Sequence, residues 1–372
     1  MTKPSRAALT AAALALTLVP LAGPARAGGE HPRAHHELSW ELLDTPADTA
    51  RLRGLAPVGA RVVWASGSEG TVLRSTDAGR SWSSVGPPGT GSLQFRDIEA
   101  SSAERAVVLS IGPGEESRVY VTDDGGHTWA ESFRNTDPAA FYDCLTFTTP
   151  RVGYAMSDPV DGRFRVIRTR DGGHSWEVMD STGMPPARDG EFAFAASGTC
   201  LQSDAAGNLH LATGGVDPAR VFTSRDGGDT WTVADSPVAG GPSAGIYSLS
   251  FQGRRGVAVG GDYAAPEAAE GNAAWTADGG RTWHTPRGTG LGGYRSGSAW
   301  AGRSWPGRFG SHPSRTGGTV LAVGPTGSDV SRDGGRSWSA FDTGSFDSVE
   351  CVASGPCYAS GEKGRVAVLR AR

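Results

Sequence analysis

The sequence predicts an all-β protein, a seven-bladed β-propeller whose ring is closed by its N-terminal strand. The first observation is an eight-residue motif, Ser/Thr-x-Asp-x-Gly-x-Ser/Thr-Trp, that occurs six times. The second is its spacing of 47 to 55 residues, which is typical of arrays of four-stranded units. The third is the 55 glycines among 372 residues, which suit many short strands and turns. The aspartates of the motif are Asp77, Asp124, Asp171, Asp226, Asp278 and Asp333.

Each copy of the motif predicts a tight turn between two strands. The carboxylate can accept backbone N–H hydrogen bonds, and the glycine takes a backbone conformation that other side chains resist. The tryptophan that ends the motif begins the next strand and can pack against the neighbouring unit. We therefore interpret the six aspartates as structural residues of turns, not as catalytic groups.

The two ends of the chain together predict the seventh blade. After Trp338, the sequence indicates three strands, over 347–353, 357–360 and 365–369. A fourth strand is indicated at the N-terminal side, over 38–43, where Ser-Trp repeats the end of the motif. Pairing of this strand with the last three would close the ring and remove exposed sheet edges.

The N-terminus predicts export. Lys3 and Arg6 precede an apolar run over 7–21, and a small-x-small cleavage site follows at 25–27, which is typical of a secretory signal peptide. The apolar run is too short to span a bilayer comfortably, so we expect no stable membrane anchor and a secreted or extracytoplasmic protein. The predicted domains are a signal peptide over 1–27, a flexible leader over 28–36 and a single propeller over 37–372.

Export matters for the four cysteines, because an oxidising compartment allows disulfides. Cys351 and Cys357 flank a Ser-Gly-Pro turn that would place them on adjacent antiparallel strands. Cys144 and Cys200 fall at corresponding points of two successive repeats, on strands that would be neighbours in the ring. We predict these two pairs, one of three connectivities. A metal site is the weaker interpretation, since no Cys-x-x-Cys pair or histidine cluster accompanies them, and no metal is predicted.

Charge and cofactor motifs point to few partners. The 35 basic and 39 acidic residues contain no basic run of the kind that nucleic-acid binding requires. A literal Gly-x-Gly-x-x-Gly at 288–293 joins two blades instead of opening a helix, so it predicts no dinucleotide site. No Cys-x-x-Cys-His marks a haem. We expect a monomer without a cofactor.

The predicted topology places a candidate binding site at one end of the channel. If the motif joins the third strand of each blade to the fourth at the lower face, the other loops meet at the upper face. Carboxylates, arginines and tyrosines converge there, as a site for a polar ligand requires. The alternative is that they cap strand ends and satisfy turns. The candidate ligand-binding residues are Arg163, Thr199, Asp262, Tyr263, Tyr294 and Arg295.

Two insertions could select a partner. One runs over 264–272 at the predicted upper face, and the other over 302–317 at the lower face. Trp305 and Phe309 in the second are candidate exposed anchors. The alternative for both is a disordered insertion, because Pro, Gly, Ala and Ser dominate them.

The motif resembles the Asp-box, or BNR repeat, of sialidase-like propellers. In that family the box lies away from the active site, so the resemblance implies a fold more firmly than a chemistry. The phrases over 157–164, 194–199 and 259–263 are similar to secreted bacterial propellers related to the photosystem II stability/assembly factor. That likeness covers nearly the whole mature chain. The photosynthetic members of that group are assembly factors, but nothing in this sequence indicates a photosynthetic setting, so the resemblance implies the fold and that role is not carried over.

The sequence is compatible with three functional classes, and it favours a recognition or assembly module that binds a glycan or a peptide segment. The second class is a glycoside hydrolase, in which Asp143 or Asp158 acts as the acid, Glu191 is its partner and Arg295 holds an anionic substrate. The Phe/Tyr-Arg-Ile-Pro phrase of true sialidases is missing from the sequence. The third class, an oxidoreductase, rests on labels used within the resembling group alone. Whether the protein is an enzyme stays open at this point.

Overall fold

The computed structural model describes residues 38–302 and 318–371. The predicted signal peptide over 1–27, the leader over 28–36, and Trp305 and Phe309 of the second insertion lie outside these residues. Within them, the secondary structure consists of 27 strands and one short 3-10 helix, Gly114–Glu116. No helix of the described part is long and apolar enough to cross a membrane.

The strands form seven antiparallel sheets, which confirms the predicted seven-bladed propeller. In chain order, blade 1 contains β2 (Leu52–Val58), β3 (Val62–Gly67), β4 (Val72–Ser75) and β5 (Ser83–Ser84); blade 2 contains β6 (Gln94–Ala100), β7 (Ala106–Ile111), β8 (Arg118–Thr122) and β9 (Ala130–Arg134); blade 3 contains β10 (Tyr142–Phe147), β11 (Gly153–Val160), β12 (Arg163–Thr169) and β13 (Glu177–Val178). Blade 4 contains β14 (Leu201–Ser203), β15 (Leu209–Ala212), β16 (Arg220–Ser224) and β17 (Thr232–Asp235); blade 5 contains β18 (Ala244–Gln252), β19 (Arg255–Asp262) and β20 (Ala273–Thr276). Blade 6 contains β21 (Gly297–Trp300), β22 (Val320–Gly324), β23 (Gly327–Ser331) and β24 (Ser339–Asp342); blade 7 contains β25 (Ser348–Cys351), β26 (Cys357–Ser360), β27 (Val366–Ala371) and β1 (Leu38–Leu43).

The first strands of the seven blades contact one another in sequence around the channel, from β2 through β25 and back to β2. Strand β1 pairs antiparallel with β27, with Leu38 opposite Ala371 and Leu43 opposite Val366. Both ends of the described chain therefore lie in blade 7. Blade 5 is the only three-stranded sheet among the described residues, and there Trp275 exchanges two backbone hydrogen bonds with His284, of 3.0 and 2.9 Å.

The hydrophobic core lies between neighbouring blades. Val63 and Leu73 of blade 1 pack against Tyr358 and Val366 of blade 7, and all four are at most 1% exposed. Because both faces of each sheet are covered, most residues of the middle strands are buried, instead of every second one. The run Ala106–Ile111 in β7 shows this pattern, with five of its six residues buried.

The repeated motif forms the turn between the third and fourth strands at the lower face. In the first copy, Ser81 donates hydrogen bonds from its N–H and hydroxyl to the two carboxylate oxygens of Asp77, at 2.9 and 2.6 Å. The Ser75 hydroxyl donates to the same carboxylate at 2.8 Å and accepts from the Gly79 N–H at 2.8 Å. These hydrogen bonds, led by that of the Ser81 hydroxyl, lower the pKa of Asp77 to about 2. The same bonds recur in the other five copies, so all six aspartates are engaged in turns.

Both predicted disulfides are present, which confirms the pairing. The Cys144–Cys200 bond joins β10 to the residue before β14, and therefore ties the inner strands of blades 3 and 4 together. Cys351 and Cys357 face each other across β25 and β26 in blade 7. The described residues contain no other cysteine.

Candidate functional site

Four of the inner strands carry a bulge at the same place, just after they begin at the upper face. The register shifts that mark the bulges enclose Arg53, Arg96, Asp143 and Tyr247. A bulge adds one residue to a strand and re-aims its side chain, and it is common next to binding sites. The four bulges place two arginines, one carboxyl and one tyrosine at equivalent points around the upper end of the channel.

The segment 192–199, which leads into blade 4, crosses the upper part of the channel. The Arg96 guanidinium donates a hydrogen bond to the Ala195 carbonyl at 2.7 Å, and that of Arg53 donates to the Ala196 carbonyl at 3.3 Å. Further bonds run from the Ser348 hydroxyl to the Ser197 carbonyl at 2.9 Å and from the Leu249 N–H to the Thr199 carbonyl at 2.9 Å. The segment thereby connects blades 1, 2, 5 and 7 and forms the floor of the upper mouth.

A cluster of three arginines, Arg51, Arg53 and Arg96, lies above this floor; we call it the arginine cluster. Arg51 makes a bidentate pair with Asp347, at 2.8 and 2.7 Å, and a second ion pair with Glu362 at 3.1 Å. Arg53 is 3.8 Å from Asp347, and its Nε is buried without a hydrogen-bond partner.

The arginine cluster carries more positive charge than its surroundings balance. Burial, together with the charges of Arg53 and Arg51, lowers the pKa of Arg96 to about 10. Burial likewise lowers the pKa of Arg53. A guanidinium whose pKa is depressed in this way is one whose charge the site does not fully compensate. An anion at the mouth would supply that compensation.

Asp143 and Asp158 lie on adjacent strands at the same mouth and interact electrostatically. Asp143 is 2% exposed, and one of its carboxyl oxygens has no hydrogen-bond partner. Burial, with the neighbouring Asp158 charge, raises the pKa of Asp143 well above its usual range. Burial raises the pKa of Asp158 to about 6, although its carboxylate accepts a 2.8 Å hydrogen bond from the Ala193 N–H. Two carboxyls with raised pKa values are therefore adjacent to the arginine cluster.

Glu191, the third predicted catalytic residue, is held in a separate buried ion pair. Its carboxylate accepts two hydrogen bonds from the Arg220 guanidinium, one of 2.8 Å, and a 2.6 Å bond from the Thr213 hydroxyl. The Arg188 N–H donates a further bond at 2.9 Å. Its pKa is lowered, since these donors outweigh the opposing effect of burial. The structure thus brings Asp143 and Asp158 together, whereas it holds Glu191 in a separate ion pair with Arg220.

Among the predicted ligand-binding residues, Tyr263 and Tyr294 belong to one aromatic cluster. The Phe194 ring stacks on Tyr247 with a centroid distance of 4.0 Å, and Tyr247 meets Tyr294 edge-on at 4.7 Å. Tyr263 lies 6.4 Å from Phe194 and is 56% exposed. The aromatic cluster adjoins the crossing segment, because Phe194 belongs to both. Tyr263 is the member that a ligand can reach directly.

The other predicted ligand-binding residues make contacts within the fold. Arg295 is 1% exposed and pairs with Asp329 at 2.7 Å. The Thr199 hydroxyl is buried and donates to Ser248 at 2.7 Å. Arg163 donates to a backbone carbonyl, and the carboxylate of Asp262 accepts a 2.8 Å bond from a backbone N–H two residues on.

The arginine cluster was not selected from the sequence. No motif of the sequence marks Arg51, Arg53 or Arg96 as a group. An alignment of the repeats at the start of the inner strand would have placed Arg53 and Arg96 beside Asp143, because all three occupy the bulge. Among the described residues, no group of three or more His, Cys, Asp or Glu side chains could hold a metal ion.

Comparisons with known proteins support the fold. No known protein-family description matches the chain, and no curated protein matches it. Solved structures do: YCF48 bound to a D1 peptide has 14% identity, covers 89% of this chain and 96% of its own, and has a TM-score of 0.60. YCF48 from Cyanidioschyzon merolae has 15% identity, covers 90% and 99%, and has a TM-score of 0.59. A streptogramin B lyase has 10% identity, covers 90% and 98%, and has a TM-score of 0.56. At these identities the likeness shows a shared propeller fold.

Proposed function

We propose that this protein is a recognition module that binds an acidic segment of a partner protein at the upper channel mouth. The observation that carries the proposal is the arginine cluster, in which three guanidinium groups share two paired carboxyl groups, those of Asp347 and Glu362. Carboxylates are the natural complement of guanidinium groups, which bind them with paired hydrogen bonds. The exposed ring of Tyr263 beside the mouth offers an apolar contact for the same segment.

The fold likeness supports a peptide as the ligand. One of the similar propellers is a YCF48 structure with a bound D1 peptide. Two disulfides within the described residues suit an oxidising compartment, and we propose that the protein works outside the cytoplasm. A polar glycan is the other ligand class for this mouth.

The test measures binding of short capped peptides that share one aromatic residue and differ in charge, using fluorescence anisotropy. We expect the acidic peptide to bind more tightly than the neutral and basic ones, and added salt to weaken it. Arg96→Gln should weaken acidic binding by about tenfold or more, because a hydrogen bond to a charged group is worth about 1.5–3 kcal/mol. Arg170→Gln is the matched control, since that arginine is exposed and pairs with Glu177 away from the mouth. Equal affinity for all three peptides, or loss of binding in the control alone, would contradict the proposal.

A second candidate function is glycoside hydrolysis by Asp143 and Asp158. The observation that favours it is the raised pKa of both carboxyls, because a general acid must hold its proton near neutral pH. Glu191 is a poor partner for them, since its carboxylate is saturated by Arg220, Thr213 and Arg188. Glycan and cell-wall fragments that bind should be assayed for turnover beside Asp158→Asn. Turnover that this substitution abolishes would assign the hydrolase class, and binding without turnover would leave the recognition module.

A further inference from the structure

A pocket opens at the lower face, away from the arginine cluster. Its volume is about 300 Å³, and it lies between blades 2 and 3. The side chains of Val107, Phe147 and Pro150 make much of its wall apolar. Pockets of this size and character commonly hold small organic molecules. We call it the lower pocket.

Most polar groups at the lower pocket already have partners. Arg105 donates to the Asp123 carboxylate and, at 2.6 Å, to the Gly172 carbonyl. The Thr149 hydroxyl accepts hydrogen bonds of 3.3 and 3.0 Å from two backbone N–H groups. Glu99 is different, because no donor among the described residues reaches its carboxyl group. The pocket therefore presents an unengaged acidic group beside a charged group, Arg105, that is already paired.

Glu99 also connects the lower pocket to the channel. A cavity of about 150 Å³ inside the channel is lined by Glu99, Asp97 and Glu350, and it shares Glu99 and Ala100 with the lower pocket. The groups that face Glu99 are thus two acids, Asp97 on its own strand and Glu350 on β25, and the Arg105 guanidinium, which pairs with Asp123. The Asp123 carboxylate also lies 3.1 Å from the Nε2 atom of His174. Burial raises the pKa of both Asp97 and Glu350, so these acids favour a cation at the inner end of the pocket only in their ionised form.

We infer that the lower pocket binds a small organic cation, with an apolar or aromatic body against Phe147 and Val107 and an ammonium head at Glu99. The apolar wall buries the body of such a ligand, and the head supplies the hydrogen-bond donors that Glu99 lacks. A neutral ligand would leave the ionised acid without a counter-charge, and an anion would be repelled by it.

The ionisation of Glu99 gives this inference a pH signature. Burial raises its pKa to about 7. The carboxyl is therefore about 10% ionised at a pH near 6 and about 90% ionised near 8. An aliphatic ammonium keeps its proton throughout this range. Binding of the cation should consequently strengthen by roughly tenfold as the pH rises from about 6 to about 8.

The test is isothermal titration calorimetry of the full-length protein with phenethylamine, phenethyl alcohol and phenylacetate, which share one ring and differ in charge. We expect the amine to bind at least about tenfold more tightly than the alcohol near pH 8, and phenylacetate to bind least. Glu99→Gln should remove this preference and the pH dependence while leaving the protein folded, because it replaces an acid that burial already disfavours as a charge. Ala100→Leu should weaken the amine and the alcohol alike by filling the pocket.

Glu104→Gln is the matched control, because Glu104 is an exposed acid on the same blade and outside the pocket. It should leave all three affinities unchanged. Equal binding of the amine and the alcohol, no binding of any probe, or an amine preference that survives Glu99→Gln would each overturn the inference. The arginine cluster takes no part in these measurements, so their outcome is independent of the proposed peptide site.

Discussion

Removal of the Arg295 guanidinium should strongly destabilise the fold and leave ligand binding by the folded protein intact. Arg295 and Asp329 are each about 2% exposed at their side chains, and the guanidinium donates to the carboxylate at 2.7 Å from both Nε and Nη2. Its Nη1 donates to the Thr326 hydroxyl at 2.8 Å and to the Tyr294 carbonyl at 2.9 Å. Arg295 was predicted from the sequence to bind a ligand, so this variant distinguishes a role in ligand binding from a role in stabilising the fold.

The magnitude follows from what Arg295→Met leaves behind. The Asp329 carboxylate would remain buried without its counter-charge, and breaking a buried pair in this way costs about 3–5 kcal/mol. Replacing both partners, as in Arg295→Met with Asp329→Val, also removes the Asp329 carboxylate, so no uncompensated charge stays buried. The double variant should therefore be more stable than the single one by about 2 kcal/mol or more.

Urea unfolding followed by tryptophan fluorescence and far-UV circular dichroism measures these differences. The two signals must give coincident transitions, since only then does a single free energy of unfolding describe the chain. Arg170→Met is the control, and its exposed side chain should change stability by less than about 0.5 kcal/mol. The reasoning fails if Arg295→Met costs no more than about 1 kcal/mol, or if the double variant is less stable than the single.

Two further predictions concern the disulfides and the channel acids. Loss of Cys144–Cys200 through paired Ser substitutions should destabilise the fold by about 4 kcal/mol, against about 2 kcal/mol for Cys351–Cys357, because the first closes a loop of 56 residues and the second a loop of 6. Equal urea midpoints for the two variants would contradict this chain-entropy argument. Glu350→Gln should flatten the fall in melting temperature between about pH 5 and 8. Burial and a neighbouring acid raise the pKa of Glu350 in the folded protein to about 8. The contribution of Glu350 to stability is therefore full below its pKa in the unfolded chain and is lost as the pH rises through its pKa in the folded protein. Parallel pH profiles for the wild type and the variant would show that the acid does not titrate in this way.

The repeated motif made the fold predictable, since one turn with one tryptophan marks each of six blades. The strands at the two ends of the chain were also found correctly, because 38–43 carries the same Ser-Trp and the apolar alternation of an outer strand. The disulfide pairs followed from the repeat register, which puts Cys144 and Cys200 at equivalent points of neighbouring blades. The features that follow the repeat, namely the turns, the number of blades and the disulfide pairs, could therefore be predicted from local pattern and period.

The site was harder to predict, because its residues are defined by departures from the repeat. Asp143 and Asp158 were predicted because they flank a recognisable strand pair, and the structure places both at the upper mouth. Arg295 and Glu191 look equally functional in the sequence, yet each has a buried partner, Asp329 and Arg220, that lies about 30 residues further along the chain. A charged residue near a predicted channel mouth cannot be assigned to a ligand or to an ion pair until the packing of the loops is known.

The crossing segment 192–199 gives the channel two ends of opposite character. Gly198 has a φ of +76°, and a Cβ there would lie 2.4 Å from the Asp97 carboxyl, so only glycine lets the segment pass this close to the inner strand of blade 2. Above the segment lies the arginine cluster, and below it lie Asp97, Glu99 and Glu350. Without the segment, these arginines and acids would face a common space and could pair with one another. A loop that belongs to one blade therefore separates the proposed anion site above it from the acids below it.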